Sequence, residues 1–102
     1  MLNKDNKKPG YLLGRFIAVM TSALSDLDEN KVVCKVADSD PHFEASKLLR
    51  RAPEISNAAT QALIREILSG FDFDAIPQKV MDPPTMGDFF LGFYHQKSAL
   101  LN

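Results

Sequence analysis

The chain has 102 residues and a formal net charge of −1, which indicates a single domain and excludes a strongly basic nucleic-acid binder on composition alone. Its hydrophobic content of 45% and charged content of 25% are ordinary for a soluble globular protein. The single cysteine excludes an internal disulfide and a cysteine metal cluster, and it fits a reducing cytoplasm. No window reaches the roughly 18 apolar residues of a membrane span.

The charge is divided unevenly between the two halves of the chain. Residues 1–52 hold nine Lys and Arg and seven Asp and Glu, which gives +2. Residues 53–102 hold three and six, which gives −3. A basic surface in the first half is therefore compatible with the slightly acidic total.

The first predicted helix follows a polar leader. Residues 1–8 contain no apolar signal core, so we expect a flexible leader before a helical domain at residues 9–102. Pro9 suits a first helical position, and the helix is predicted from about Gly10 to Leu27. Its apolar residues recur at spacings of three and four and cover more than one side, which predicts a deeply buried helix: Tyr11, Leu12, Leu13, Phe16, Ile17, Val19, Met20, Ala23, Leu24 and Leu27.

Residues 31–36 are ambiguous because their β-branched side chains favour a strand. No other segment offers a pairing partner, and a lone strand leaves its backbone hydrogen bonds unmade. We therefore expect an extended connector or an irregular helix. Cys34, within this segment, is expected to be a small buried apolar residue.

Two shorter helices follow. The second predicted helix runs from Pro41 to about Arg51, with Asp40 as its N-cap. Three apolar side chains of this helix are expected to face inward: Phe43, Leu48 and Leu49. The third is capped by Ser56 or Asn57 and runs through Ser69, with Gly70 after its end. Beyond it, a loop is expected to wrap the core through three apolar side chains: Phe71, Phe73 and Ile76.

The last helix carries the largest aromatic face in the chain. Thr85 is predicted to cap it, with Asp88 in support, and Pro83 and Pro84 are expected to end any earlier element. The face is too apolar to leave in water, so this helix should be central to a core or an interface: Met86, Phe89, Phe90, Phe93 and Tyr94. Gly92 would let another backbone approach closely. The chain as a whole predicts an all-α bundle of about four main helices.

Two segments at opposite ends of the chain resemble the large subunit of type I-C CRISPR Cascade complexes. Residues 11–19 contain Leu-Gly-Arg after a tyrosine, as does a segment near the C-terminal end of that family. Residues 89–96 resemble its closing Phe-x-Leu-Gly-Tyr-Tyr-His-Gln, with Phe93 in place of the first tyrosine. Residues 38–43 lie where the family has a short helix start. In this family the C-terminal helical part also exists as a separate small subunit, which this chain resembles in layout.

The resemblance implies a non-catalytic subunit without a cofactor. Small subunits of such complexes assemble side by side and beside the backbone and large subunits. They help to hold the heteroduplex of guide RNA and target DNA and the displaced DNA strand. The protein would contact nucleic-acid backbones while base pairing reads the sequence. The slightly acidic net charge departs from what strand binding favours.

Basic side chains are the candidate nucleic-acid contacts. Lys47, Arg50 and Arg51 share one predicted helix face, where they suit phosphates or simply form a solvated helix end. Arg15 is interpreted as a phosphate clamp, as a bridge to a neighbouring subunit, or as a surface residue whose stem covers apolar neighbours. Arg65 is a further candidate.

The polar end of the last helix suggests a partner interface. Tyr94, His95 and Gln96 place three hydrogen-bonding groups where the apolar stripe stops, and they would bind another helix or a partner subunit.

Two alternative functions remain. One is a mimic of this module that inhibits the complex, which the acidic second half favours. The other is an enzyme built on His42, His95 and carboxylates, although no residue spacing forms a known catalytic triad or metal site.

Overall fold

The computed structural model describes residues 1–101 and confirms the prediction of an all-α fold. Within that range the chain forms five α-helices and no strand, with two single-turn 3₁₀ helices at Ala52–Glu54 and Phe73–Ala75. The helices are α1 (Pro9–Ala23), α2 (Glu29–Asp38), α3 (Pro41–Arg51), α4 (Ala58–Ser69) and α5 (Pro83–Leu101). Asn102, the last residue of the predicted domain, lies outside the described residues.

Residues 31–36 were predicted as an extended connector or an irregular helix, and they lie in the regular helix α2. The extended alternative is therefore wrong, and the helical alternative is the nearer one. The Asp28 side chain accepts a hydrogen bond from the backbone N–H of Lys31 at 3.2 Å and so caps the helix. Val36 is fully buried against the core. The cap and this burial outweigh the weak helix propensity of the β-branched residues.

Two side chains that were expected inside lie on the surface. Cys34 is exposed and Phe43 is 56% exposed. Phe43 lies about half a turn away from the buried stripe of α3, which is Pro41, Ala45 and Leu48, whereas Cys34 lies to one side of the face of α2 that buries Val36 and Ala37. Their apolar character alone did not fix the direction in which they point.

The ends of three helices test the predicted caps. Asp40 and Asn57 accept backbone hydrogen bonds at the starts of α3 and α4, as predicted, each at 2.9 Å. Helix α5 begins at Pro83, two residues before the predicted cap. Asp82 takes the capping position and accepts from the backbone N–H of Thr85 at 2.9 Å. The paired prolines form the first turn, where their missing N–H groups cost nothing.

Helix α1 is the centre of the bundle. Every residue from 10 to 21 is buried, so other elements cover this helix on all sides. Helix α5 packs along it and contributes Phe89 and Phe93 to the core, whereas Tyr94 at the edge of the aromatic face is 59% exposed. The aromatic helix thus builds the core as predicted, but the central position belongs to α1.

The remaining elements complete the covering of α1. Helices α3 and α4 bury apolar side chains against it, and the loop after α4 is held to the core by three residues, as the sequence predicts. The rings of Phe71 and Phe73 lie 4.9 Å apart, and both meet Phe16 edge-on. Ile76 is almost fully buried. This arrangement leaves α2 and α3 side by side with a groove between them.

Candidate nucleic-acid interface

The two end segments singled out in the sequence pack against each other along the seam between α1 and α5. A Cβ atom on Gly14 would lie 2.5 Å from the backbone nitrogen of Phe93, and a Cβ on Gly92 would collide with the carbonyl oxygen of Tyr11. The two backbones are therefore in contact, which confirms the close approach predicted at Gly92.

Polar side chains of the two segments pair across the same seam. The Tyr11 hydroxyl lies 2.9 Å from Nδ1 of His95. Nε of Arg15 donates to Oε1 of Gln96 at 2.8 Å, and both of these side chains are almost fully buried. The prediction of a surface position for Arg15 is wrong, because its guanidinium lies inside the bundle. It has no exposed face from which to contact a phosphate in this structure.

The buried charge of Arg15 is balanced by Glu66. Nη2 of Arg15 lies 3.2 Å from Oε2 of Glu66, and Lys4 reaches the same carboxylate at 3.5 Å. Desolvation opposes ionisation of Glu66, but the hydrogen bond from Arg15 and the nearby positive charges outweigh it and lower the pKa of this carboxyl. Within residues 1–101, every buried side-chain nitrogen and oxygen atom has a hydrogen-bond partner.

The leader reaches this network as well. The backbone N–H of Asn3 donates to the Tyr11 hydroxyl at 2.9 Å. Of the three residues predicted at a partner interface, His95 and Gln96 face α1, and Tyr94 alone is largely exposed. Of these three residues, Tyr94 is thus the most exposed, His95 is half-buried and Gln96 is buried.

A groove of about 390 Å³ lies between α2 and α3. Four cationic side chains line it, two at a spacing of four residues on each helix: Lys31 and Lys35 on α2, and Lys47 and Arg51 on α3. Apolar side chains share the lining: Leu27, Val32 and Leu48. Cations on two facing walls are suited to contact a phosphate backbone.

Three carboxylates also line the groove, and each is already engaged. Asp26 pairs with Arg51, Asp28 caps α2, and Glu44 lies 3.0 Å from Nζ of Lys47. Among residues 1–101, the ammonium groups of Lys31 and Lys35 have no ion-pair partner. These two lysines are thus the cations of the groove that are free to meet an incoming anion.

Arg51 is the most strongly held of the predicted contacts. Its guanidinium makes two hydrogen bonds of 2.9 Å to Asp26 and bonds of 2.9 and 3.0 Å to Glu54. The hydrogen bonds that Arg51 donates lower the pKa of both carboxyls. The same hydrogen bonds raise the pKa of the Arg51 guanidinium. A phosphate would have to displace these partners to use Arg51.

The other predicted basic residues lie apart from the groove lining. Arg50 is exposed on α3, and Arg65 is exposed on α4. Sequence reasoning missed Lys31 and Lys35, because residues 31–36 were interpreted as an extended connector or an irregular helix and no helix face was assigned to them. The signal was present, since a helix starting after Asp28 places these two lysines on one face.

The structure separates the two histidines by environment. The ring of His42 meets Phe73 edge-on, whereas His95 contacts Tyr11. Within residues 1–101, no group of three or more His, Cys, Asp and Glu side chains could hold a metal ion. In the same range, no helix has the length and apolar character to cross a membrane.

In comparisons with known proteins, no family matches this chain, and no curated protein matches it. The resemblance to the type I-C family therefore stays a prediction.

Proposed function

We propose that this chain is a non-catalytic small subunit of a type I-C-like CRISPR Cascade complex, and that its α2–α3 groove contacts nucleic-acid phosphates there. One observation carries the proposal. The two segments that resemble the family are the segments that pair along the α1–α5 seam, through Tyr11 with His95, Gly14 with Gly92, and Arg15 with Gln96. The resemblance thus concerns residues that specify the fold, and it does not depend on scattered surface positions.

The groove supports a backbone-binding role. Lys31 and Lys35 face the groove without ion-pair partners in the described chain, and Lys47 lies on the opposite wall. Such contacts position a strand by its charge and carry no sequence information. This suits a complex in which base pairing with the guide reads the sequence. Exposed Arg50 adds positive charge to the same helix as Lys47.

The outer side of α5 offers a surface for neighbouring subunits or further copies of this chain. Tyr94 is 59% exposed and Leu91 is 53% exposed. Exposed apolar side chains of this size fit a surface that becomes buried on assembly. In the proposal, α5 therefore contributes both to the core and to subunit contact.

The test is assembly with a Cascade backbone loaded with guide RNA, followed by a DNA-binding titration with and without this chain. The proposal predicts that the chain co-purifies with the complex and strengthens DNA binding, more so at low salt. A triple change of Lys31, Lys35 and Lys47 to Gln should remove the gain without loss of co-purification. Co-purification with weakened DNA binding would identify the chain as an inhibitory mimic. Absence of co-purification would contradict both roles.

A further inference from the structure

Phe43 is an exposed aromatic ring that the packing of α3 does not require. Its side chain is 56% exposed, whereas α3 buries Pro41, Ala45 and Leu48 on the opposite side. Nζ of Lys47 lies 5.0 Å from the centroid of the ring, so a cation holds the ring from one side. More than half of the surface of this residue is open to solvent.

The ring stands at the rim of the α2–α3 groove. The next residue, Glu44, lines the groove, and so does Lys47, which contacts the ring. The open aromatic surface is thus adjacent to the cations that would follow a phosphate backbone. A cationic groove bordered by an exposed aromatic side chain is the combination by which proteins bind single-stranded nucleic acid.

We infer that Phe43 stacks on an unpaired base of a single-stranded nucleic acid whose phosphates lie along Lys31, Lys35 and Lys47. This rests on the groove of the proposed function and adds to it a base-stacking contact at Phe43. In a duplex the flat faces of the bases are covered by their neighbours, so an exposed ring gains little from double-stranded DNA. The core of a protein interface is depleted in charged residues, so the charge beside Phe43 disfavours a protein as the occupant.

The experiment compares three ligands of equal length on the full chain: an oligothymidylate, a base-free sugar–phosphate strand and a DNA duplex. The variants are Phe43→Leu, which keeps an apolar side chain but removes the aromatic face, and Phe43→Tyr, which keeps it. Phe43→Leu should bind oligothymidylate about fivefold to tenfold more weakly and should leave affinity for the base-free strand unchanged. Phe43→Tyr should bind both strands as the wild type does. The wild type should prefer oligothymidylate to the duplex.

A double change of Lys31 and Lys35 to Gln separates this inference from the proposed groove. This variant should bind both strands more weakly, because two of the cations that face the phosphates are removed. If the lysine variant is weakened but Phe43→Leu binds oligothymidylate as the wild type does, the stacking inference fails and the groove stands. An equal loss of affinity on both strands for Phe43→Leu also overturns the inference. If the wild type binds none of the ligands, the groove and the inference fail together. Circular dichroism of each variant checks that helicity is retained.

Discussion

Arg15 is a charged side chain in the interior of a small bundle, and its partners determine whether that position is tolerable. Nε donates to Gln96 and Nη2 pairs with Glu66, so the guanidinium enters the core with hydrogen bonds already arranged. A buried charge that loses one partner is costly, because desolvation is then not compensated. The hydrogen bond between Arg15 and Gln96 should therefore stabilise one specific alignment of α1 and α5.

Replacing Gln96 with Leu tests the contribution of this hydrogen bond. The change keeps a side chain of similar size and leaves the Arg15 Nε–H group buried without its acceptor. We expect the free energy of unfolding to fall by about 1–3 kcal/mol, measured by urea denaturation at neutral pH. The exposed residue two positions before Gln96 supplies the control, since Tyr94→Leu should change stability by less than about 0.5 kcal/mol. Equal effects of the two changes on stability would contradict this role of the Arg15–Gln96 hydrogen bond.

Glu66 makes part of the stability depend on pH. Its folded-state pKa lies below the ordinary value of 4.5, so its contribution is fully present above that value and is lost as the pH falls through the folded-state pKa. We expect Glu66→Gln to be less stable than the wild type at neutral pH by at most about 1 kcal/mol, because the carboxylate is partly exposed. The gap should close as the pH drops below 4.5. Urea midpoints across this range measure it, and a gap independent of pH would be inconsistent with the ion pair.

The seam between α1 and α5 is the principal contact between elements, and glycine makes it possible. The carbonyl oxygen of Tyr11 occupies the space that a side chain at Gly92 would need. Backbone atoms cannot rotate away as a flexible side chain can, so the two helices would have to separate. Gly87, on the same helix, has open space around the position of a Cβ.

Two alanine substitutions on α5 should therefore have opposite signs. Gly92→Ala should destabilise the fold by about 1–3 kcal/mol or more, because it forces the seam apart. Gly87→Ala should stabilise it by about 0.5–1 kcal/mol, because it lowers the entropy of the unfolded chain and meets no obstacle. Thermal or urea unfolding of the two variants gives the comparison. If Gly92→Ala were also stabilising, the described seam would be wrong.

How well each helix could be predicted depends on how much of its structure is determined by nearby residues in the sequence. The apolar stripes of α1, α3, α4 and α5 and the caps Asp40 and Asn57 were sufficient to locate four helices. Residues 31–36 were left between an extended connector and an irregular helix because their β-branched residues favour a strand, and the helical state depends on Val36 meeting the core. The cap of α5 was misplaced because Thr85 and Asp82 both suit the role.

The residues of the candidate site also differ in how well the sequence predicts them. Lys47, Arg50 and Arg51 could be recognised from spacing alone, whereas the opposite wall of the groove required α2 to be a helix. The burial of Arg15 could not be read from its neighbours, since its hydrogen-bond acceptor Gln96 lies 81 positions away. Pairing over that distance is a property of the tertiary fold and leaves no local signal.

For the whole molecule, the uneven charge seen in the sequence takes a definite place in the fold. The surplus cations of the first half are gathered in part on the walls of the α2–α3 groove, where Lys31 and Lys35 are without ion-pair partners in the described chain. The groove, and not the net charge of −1, would then govern binding to a strand. Each phosphate that a cation neutralises releases condensed counterions, so the number of such phosphates can be read from the dependence of affinity on salt.

The most direct measurement is the salt dependence of binding to oligothymidylate for the wild type and for the Lys31→Gln, Lys35→Gln double variant, with Lys79→Gln as a control outside the groove. We expect the double variant to reduce the slope of log affinity against log salt by about 1.4, because each single-strand phosphate that a lysine neutralises adds roughly 0.7 to the slope. Lys79→Gln should leave the slope unchanged. A slope that is the same in all three proteins, or one that falls equally with Lys79→Gln, would contradict the claim that this groove binds nucleic acid.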